Sequence, residues 1–327
     1  MKMEDVRVLV TGGSGFIGQH LIHAYLQAGV GCLVCYDLVR HPKGIGIVGD
    51  VRDEKKLERI VRRYRINIIE HLAAQLEVYK GIQATQEDAD ININGTLSVL
   101  EVARKCDVER VQFASSGAVY GRREGPHKES DVPEPHWPYG VSKLAGEQYV
   151  MQFHRLYGMK CNAFRYGIVY GQGEWYGRAL TMFLKRVILE DKPLVIYGDG
   201  YQTRDFVYVG DIVKAHVSAV ERNVYGTILN LGSGVGTAIK DLATIVCGLD
   251  GKRNWKPIYS EVREGEVPDI QPDRIRLPGE IRDFVLDSGV ADSMLFWKSE
   301  VVLPDGITAE IAWLKRNPHA WDYLPRV

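Results

Sequence analysis

The sequence has almost no net charge, few cysteines and no long apolar run, and each shortage excludes a class of function. Across 327 residues, 41 Lys and Arg stand against 42 Asp and Glu, a net charge of −1. That balance leaves no basic footprint for a nucleic-acid backbone or an anionic membrane surface. No apolar run approaches the ~18 residues that a bilayer span needs. Lys2, Glu4 and Asp5 precede the short apolar stretch 6–10 and glycines follow it, so no secretory leader is expected. The five cysteines are an odd number. Cys32 and Cys35 form a C-x-x-C, but they lie in 31–37, which reads as a buried strand, and no second pair of ligands follows. They read as small buried hydrophobes rather than a redox pair or half a metal site. The expectation is a soluble, cytoplasmic protein in a reducing compartment, without metal.

What is present is an alternation of two periodicities. Apolar strand runs are expected at 6–11, 31–37, 45–48, 66–73, 108–115 and 160–166. Helical spacing connects them: Ile17, Leu21, Tyr25 and Ala28, then one face of 53–65, then 87–106 and 139–157. Strands alternating with helices of this length imply right-handed crossovers and a parallel, doubly wound α/β sheet. After about Arg165 the rhythm changes. A helix at 179–190, strands at 194–197 and 227–231, a helix at 238–247, a Pro- and charge-rich loop at 268–280 and a closing helix at 307–315 are expected. The division read from this is 1–165 for a dinucleotide-binding domain and 166–327 for a smaller, mixed substrate domain, with some segments crossing back.

The stretch 11–18, Thr-Gly-Gly-Ser-Gly-Phe-Ile-Gly, follows the first strand and opens the first helix. Its glycines, Gly12, Gly15 and Gly18, allow a tight turn, close approach of main chain to a pyrophosphate and close helix–strand packing. Phosphates would then rest on N–H groups at a helix N-terminus. Asp37, at the end of the second strand, can accept from both ribose hydroxyls and would repel a 2′-phosphate, which favours NAD; Arg40, three residues on, keeps NADP open. Further along, Tyr139 and Lys143 are four residues apart and share a helix face. A Tyr hydroxyl titrates near ~10, and a neighbouring ammonium stabilises its phenolate. Ser116, at the carboxyl end of the fifth strand, can bond the same substrate oxygen.

Jointly these motifs resemble the extended short-chain dehydrogenase/reductase family, and within it the NAD-dependent nucleotide-sugar epimerase/dehydratase group. The resemblance also rests on Gly-Asp-Val-Arg-Asp at 49–53, His-Leu-Ala-Ala-Gln at 71–75, Asn-Ile-Asn-Gly-Thr at 92–96 and Ser-Ser-Gly-Ala-Val-Tyr-Gly at 115–121. Arg165-Tyr166, Arg204 to Asp211 (Arg-Asp-Phe-Val-Tyr-Val-Gly-Asp) and Asn-Leu-Gly-Ser-Gly at 230–234 complete it, nearly chain-long. It implies a Rossmann core, with Gly12, Gly15, Phe16 and Ile17 at the pyrophosphate and Asp37 at the adenosine ribose. Asp50 and Val51 would frame the adenine. Leu72, Ala73, Ala74 and Gln75 would line the way to the nicotinamide ribose, Asn92 would be structural or in the cofactor shell, and Tyr166 would lie near the nicotinamide. Ser116, Tyr139 and Lys143 would form the catalytic set, and Arg204 and Arg263 would hold the substrate diphosphate. The helices at 87–106 and 139–157 would pair across a two-fold axis into a homodimer.

The chemistry after Ser116 narrows the reaction. A 4,6-dehydratase of this group carries an Asp-Glu pair after the Ser or Thr, and a decarboxylase a Glu two residues on; here Gly117 and Ala118 follow, and neither moves a proton. The expectation is therefore a nucleotide-diphosphate-sugar 4-epimerase that oxidises C4 transiently and returns hydride to the other face. A 4-keto-sugar reductase using NADPH and a non-catalytic NAD-binding regulator are the alternatives. Ile168 stands where relatives often carry Asn, and 76–86 differs from the usual loop over the sugar, so an unusual sugar is in view.

Overall fold

In the computed structural model, which describes residues 2–123, 125–252, 254–267 and 275–321, seven strands pair in parallel to form the main sheet. Their order is Thr227–Leu231, Lys160–Tyr166, Arg110–Ser116, Ile68–His71, Arg7–Thr11, Cys32–Asp37 and Ile45–Val48. Chain order therefore reverses between Arg7–Thr11 and Ile68–His71. In such sheets the crevice beyond the strands' carboxyl ends at that reversal is where ligands lie.

The inner strands read as continuous apolar runs because both faces are covered. Val8 and Val10 pack with Leu21, Ile22 and Tyr25 of the helix Phe16–Gln27 and with Val213 and Val220 of the helix Val209–Glu221. Leu9, between them, faces the opposite layer, with Leu57 and Val61 of Glu54–Tyr64, Val99 and Leu100 of Gly95–Lys105, and Val150 and Phe153 of Pro138–Tyr157. The helix Glu54–Tyr64 starts where Asp53 Oδ1 accepts from Lys56 N (3.0 Å), a side-chain N-cap, and ends at Arg65 in the left-handed region (φ 50°). A second core lies beyond the sheet. There Ala179–Leu184, Ile239–Leu249 and Leu303–Arg316 enclose Phe183, Leu184, Leu242, Val246, Ile311 and Leu314, beside the small sheet Gly236–Ala238, Thr203–Tyr208 and Ile168–Tyr170.

Two expected elements differ in an informative way. The single helix expected at 87–106 is Thr85–Ala89, a π-turn at Asp90–Asn94 and then Gly95–Lys105. The widened turn carries Asn92, whose Oδ1 accepts from Gln75 N (2.8 Å) while Nδ2 donates to Gln75 O (2.9 Å). A single side chain thus satisfies both main-chain groups of Gln75, a tertiary demand invisible to helical periodicity. The segment 76–86, read as an unusual loop, contains a short helix, Val78–Gln83. Of the loop expected at 268–280, residues 268–274 lie outside the described residues, and 275–280 form neither helix nor strand. The strand Thr203–Tyr208 and the helix Val209–Glu221 had no counterpart among the expected elements. Among the described residues no helix is long and apolar enough to cross a membrane.

One buried carboxylate ties the strands to the helix above them. Glu147, on Pro138–Tyr157, accepts from Ser115 Oγ (2.9 Å) and from Arg165 Nε (2.9 Å) and Nη2 (2.5 Å), and both charged side chains are within 2% of full burial. Removing one member of such a pair strands the other charge in the core. Glu147→Ala is expected to destabilise the fold by about 3–5 kcal/mol. Urea denaturation of wild type and variant checks this; a loss below about 1 kcal/mol would contradict it.

Candidate active site

The glycine loop is built for an anion. Gly12 takes φ 69°, and a Cβ there would lie 2.6 Å from Ala73 N, so loop and Leu72–Ala73 main chain touch directly. A Cβ at Gly13 would lie 2.6 Å from Cys35 Sγ. Gly15 is the N-cap of Phe16–Gln27 and supplies no side-chain cap, so the first-turn N–H groups face the crevice without a competing carboxylate. Asp37 closes the loop's far side: Oδ2 accepts from Ser14 N (2.8 Å) and Oδ1 from Val39 N (3.2 Å), while Arg40 is exposed. This close-packed main-chain cradle with free helix N–H groups, and a carboxylate at the end of the second strand, fits a dinucleotide whose ribose carries free hydroxyls.

The other expected cofactor residues fall along the same edge with varied freedom. Leu72 N donates to Thr11 O (3.1 Å) and Ala73 N to Thr11 Oγ1 (3.4 Å), which holds 72–73 against the first strand; Ala74 is half-buried. The Gln75 side chain is fully engaged by the protein: Nε2 donates to Asp88 Oδ1 (2.9 Å) and Oε1 accepts from Glu77 N (2.6 Å). Asn92 is equally committed, bonding both main-chain groups of Gln75 and donating to Asp88 Oδ1 (3.2 Å) and Ser142 Oγ (3.1 Å). Asp50 is gripped by Arg52, Oδ2 to Nη2 at 2.6 Å and Oδ1 to Nε at 3.0 Å, and that pairing holds its carboxyl below the usual range; Val51 beside it is buried.

Ser116, Tyr139 and Lys143 converge at the carboxyl edge. Ser116 ends its strand, pairs in register with Tyr166 and accepts from Ala118 N through Oγ (3.1 Å). Lys143 is buried, donates from Nζ to Ala114 O (2.9 Å), and lies 5.9 Å from the Tyr139 ring. Burial pulls its ammonium down to about 8, with the Asp88 carboxylate acting in the other direction. Burial pushes the Tyr139 phenol up, opposed by the Ser116 hydroxyl and by the Arg178 guanidinium. Arg178 and Asp88 are thus charges that act on the pair and that sequence reasoning missed. Neither lies in a recognisable motif, and both are brought in by tertiary structure: Arg178 N-caps Ala179–Leu184, and Asp88 sits ahead of the π-turn. Gly117 follows Ser116 for a steric reason, since a Cβ there would collide with the Phe284 ring.

On the sugar side the arginines separate. Arg204 and Arg276 share the Glu280 carboxylate (Nη2 to oxygen 3.4 and 3.2 Å), and Arg276 Nη1 donates to Val262 O (2.6 Å). Arg263 is exposed, its main-chain N–H donating to Glu266 Oε2 (3.2 Å). Arg276 is therefore a cation beside Arg204 that the sequence reading did not name. Ile168 pairs with Phe206 in the small sheet, and its side chain packs against two apolar clusters, one holding Tyr170 and Phe206 and the other Phe284 and Leu286.

Comparison with known proteins agrees with this geometry. The profile of the NAD dependent epimerase/dehydratase family matches residues 8–232. The chain is 30% identical over 327 residues to the UDP-glucose 4-epimerase of Mycolicibacterium smegmatis, covering 95% of this chain and 99% of that one. It superposes with TM-score 0.86 on the Thermotoga maritima UDP-glucose 4-epimerase solved with UDP-glucose, at 30% identity, covering 96% of this chain and 100% of that one. The Thermus thermophilus UDP-glucose 4-epimerase solved with NAD gives TM-score 0.83 at 30% identity, over 95% and 99% of the two chains. The chain belongs to the NAD-dependent epimerase/dehydratase family, with NAD as its cofactor.

Proposed function

We propose that the protein is a UDP-hexose 4-epimerase, with residues 1–165 holding the dinucleotide and 166–327 the sugar. The observation that carries this reading is the convergence of Ser116 and Tyr139 at one strand end where position 117 has no room for a side chain. Ser116 and Tyr139 can serve there as a proton shuttle for the sugar 4-hydroxyl, and Gly117 and Ala118, which follow Ser116, offer no acid–base pair for dehydration. The UDP-glucose 4-epimerases among its relatives support the reaction, and the Thermotoga maritima complex supports the substrate class.

Bound NAD supplies a reversible hydride acceptor. Tyr139 takes the proton of the sugar 4-hydroxyl while Ser116 hydrogen-bonds the same oxygen. Lys143, with an ammonium next to the phenol, stabilises the phenolate, and Arg178 adds a second positive charge. After the 4-keto sugar turns over, hydride would come back to the opposite face of C4 while Tyr139 returns the proton to the 4-oxygen. Arg204 and Arg276 hold the diphosphate, where the planar guanidinium fork suits phosphate oxygens. In coupled assays the protein should interconvert UDP-glucose and UDP-galactose without added cofactor, and Tyr139→Phe should lower kcat by about 10²–10⁴-fold. A wild-type protein that consumes NADPH stoichiometrically with a 4-keto sugar would instead be a reductase.

The buried Lys143 also predicts a pH dependence of folding. Its folded-state value, about 8, lies below its ordinary 10.5. Between these values the unfolded chain holds a proton that the folded chain does not, so stability rises with pH through that window, by about 1.4 kcal/mol per unit at most. Denaturation of NAD-free protein from pH 7.5 upward should show the gap between wild type and Lys143→Met moving in the wild type's favour. A flat difference would contradict the shift.

We infer further that the protein is a homodimer formed through the helix Pro138–Tyr157, which leaves Val141, Tyr149, Leu156 and Tyr157 exposed on its outer side. Sedimentation at micromolar concentration should give twice the chain mass, and a monomer would refute the interface.

A further inference from the structure

A second polar line runs beneath the site, on the opposite face of the sheet from Glu147. The Tyr166 hydroxyl lies 2.6 Å from His216 Nε2, and His216 Nδ1 lies 2.7 Å from Glu70 Oε2. Glu70 and His216 are completely buried. The other Glu70 oxygen accepts from Tyr25 and Gln112, so with His216 the carboxyl group has three protein hydrogen-bond partners. With Glu70 ionised, Nδ1 of His216 carries the proton that donates to Oε2. Nε2 is then left to accept from the phenol, the tautomer logic by which a buried acid orients an imidazole. The other charged group near Glu70 is Arg110, whose guanidinium is turned to Val224 O (2.6 Å) and Asn223 Oδ1 (2.9 Å). It offsets the charge of Glu70 without bonding it.

The far end of this line lies among residues expected at the cofactor. Tyr166 pairs in register with Ser116 and packs in one apolar cluster with Phe16, Ile17 and Leu72, residues of the glycine loop's helix and of the strand end facing it. A core carboxylate is costly to bury, and an apolar residue at position 70 would suit a strand whose neighbours Ile68 and Ile69 are both apolar. Nothing in the proton shuttle of Ser116, Tyr139 and Lys143 uses it.

We propose that Glu70, acting through His216, makes the Tyr166 wall electron-rich and so favours the cationic oxidised nicotinamide over the neutral reduced one. Glu70 and His216 are positioning residues, and Tyr166 is the group that faces the cofactor. A phenol that donates into a carboxylate-backed imidazole carries more negative charge on its ring and oxygen, and a cation next to an aromatic face responds to that charge. The inference rests on the cofactor assignment and on the placing of Tyr166 at the nicotinamide. It does not depend on which sugar is bound or on epimerisation.

The test reads the cofactor alone. The midpoint potential of the NAD couple bound to the full-length protein is measured by reductive titration at 340 nm, without sugar, for wild type, Glu70→Gln and Tyr166→Phe. Glu70→Gln keeps the shape and removes the charge; Tyr166→Phe keeps the charge and cuts the line at the hydroxyl. Both should lower the preference for NAD⁺ over NADH by roughly three- to ten-fold, a rise in potential of about 15–30 mV for a two-electron couple. Looser packing alone would weaken both forms together and leave the potential where it was. Both variants within two-fold of wild type would overturn the proposal, and so would a shift in Glu70→Gln with none in Tyr166→Phe. If Glu70→Gln does not fold, Tyr166→Phe decides by itself. A protein that shifts its potential as expected yet epimerises no UDP-hexose would retain this inference while losing the proposed reaction.

Discussion

The site depends on one buried ion pair that the chemistry never touches. Glu147 takes hydrogen bonds from Ser115 and Arg165. Those two residues directly precede Ser116 and Tyr166 on neighbouring strands, and Glu147 itself follows Lys143 by one helical turn. Side chains alternate along a strand. Anchoring 115 and 165 to the helix layer therefore sends 116 and 166 to the other side, at the lip of the crevice. Arg165 Nη1 also donates to the Tyr120 hydroxyl (2.8 Å), and Tyr120 donates to Asn230 Oδ1 (2.7 Å), so the same pair reaches the turn after Ser116 and the last strand of the sheet. Its net contribution to stability is modest by the usual accounting of buried charges. What it fixes is register: the helix bearing Tyr139 and Lys143 cannot slide along the strand bearing Ser116 without breaking it.

The cofactor side is set by contact rather than by charge. Loop and strand end approach so closely that Gly12 has no space for a methyl group against Ala73. The nearest acid, Asp37, is engaged twice, by the loop's Ser14 N–H and by Val39 N–H two residues on from itself, before any ribose arrives. A rigid, pre-bonded cradle suits a cofactor that serves many turnovers in place, because little ordering remains to be done on binding.

The sequence made the dinucleotide half legible because there one residue type does one local job. Glycine permits close approach, an acid ends a strand, and Tyr and Lys share a helix face, each readable from spacing. A parallel, doubly wound sheet followed from alternation, and most elements lie within a few residues of expectation. Legibility fails where a side chain's partner is remote in sequence. Asn92 interrupts an apparently continuous helix because it serves Gln75, 17 residues away. His216 meets Glu70 across 146 residues. Arg276 shares the Glu280 carboxylate with Arg204, and its main chain is held by the earlier segment 265–266: Gly265 N donates to Arg276 O (2.7 Å) and Arg276 N to Glu266 O (3.0 Å).

These two classes of residue differ in chemistry as well as in legibility. In the proposed mechanism the legible residues perform steps that any hydride transfer on such a fold needs, so their pattern is tightly constrained. Arg178, Asp88, Glu70 and Glu280 perform none of those steps in the proposed mechanism; they would set the potential in which the steps occur. Asp88 and Arg178 act in opposite senses on Tyr139. Glu280 spans the two arginines assigned to the diphosphate. A charge can be supplied to a point in a low-dielectric pocket from many positions around it, because the interaction depends on distance and burial rather than on a fixed bonding geometry. No short motif can therefore encode these groups. The electrostatics of the site becomes visible only once the fold has brought charges remote in sequence to bear on the Tyr139 phenol.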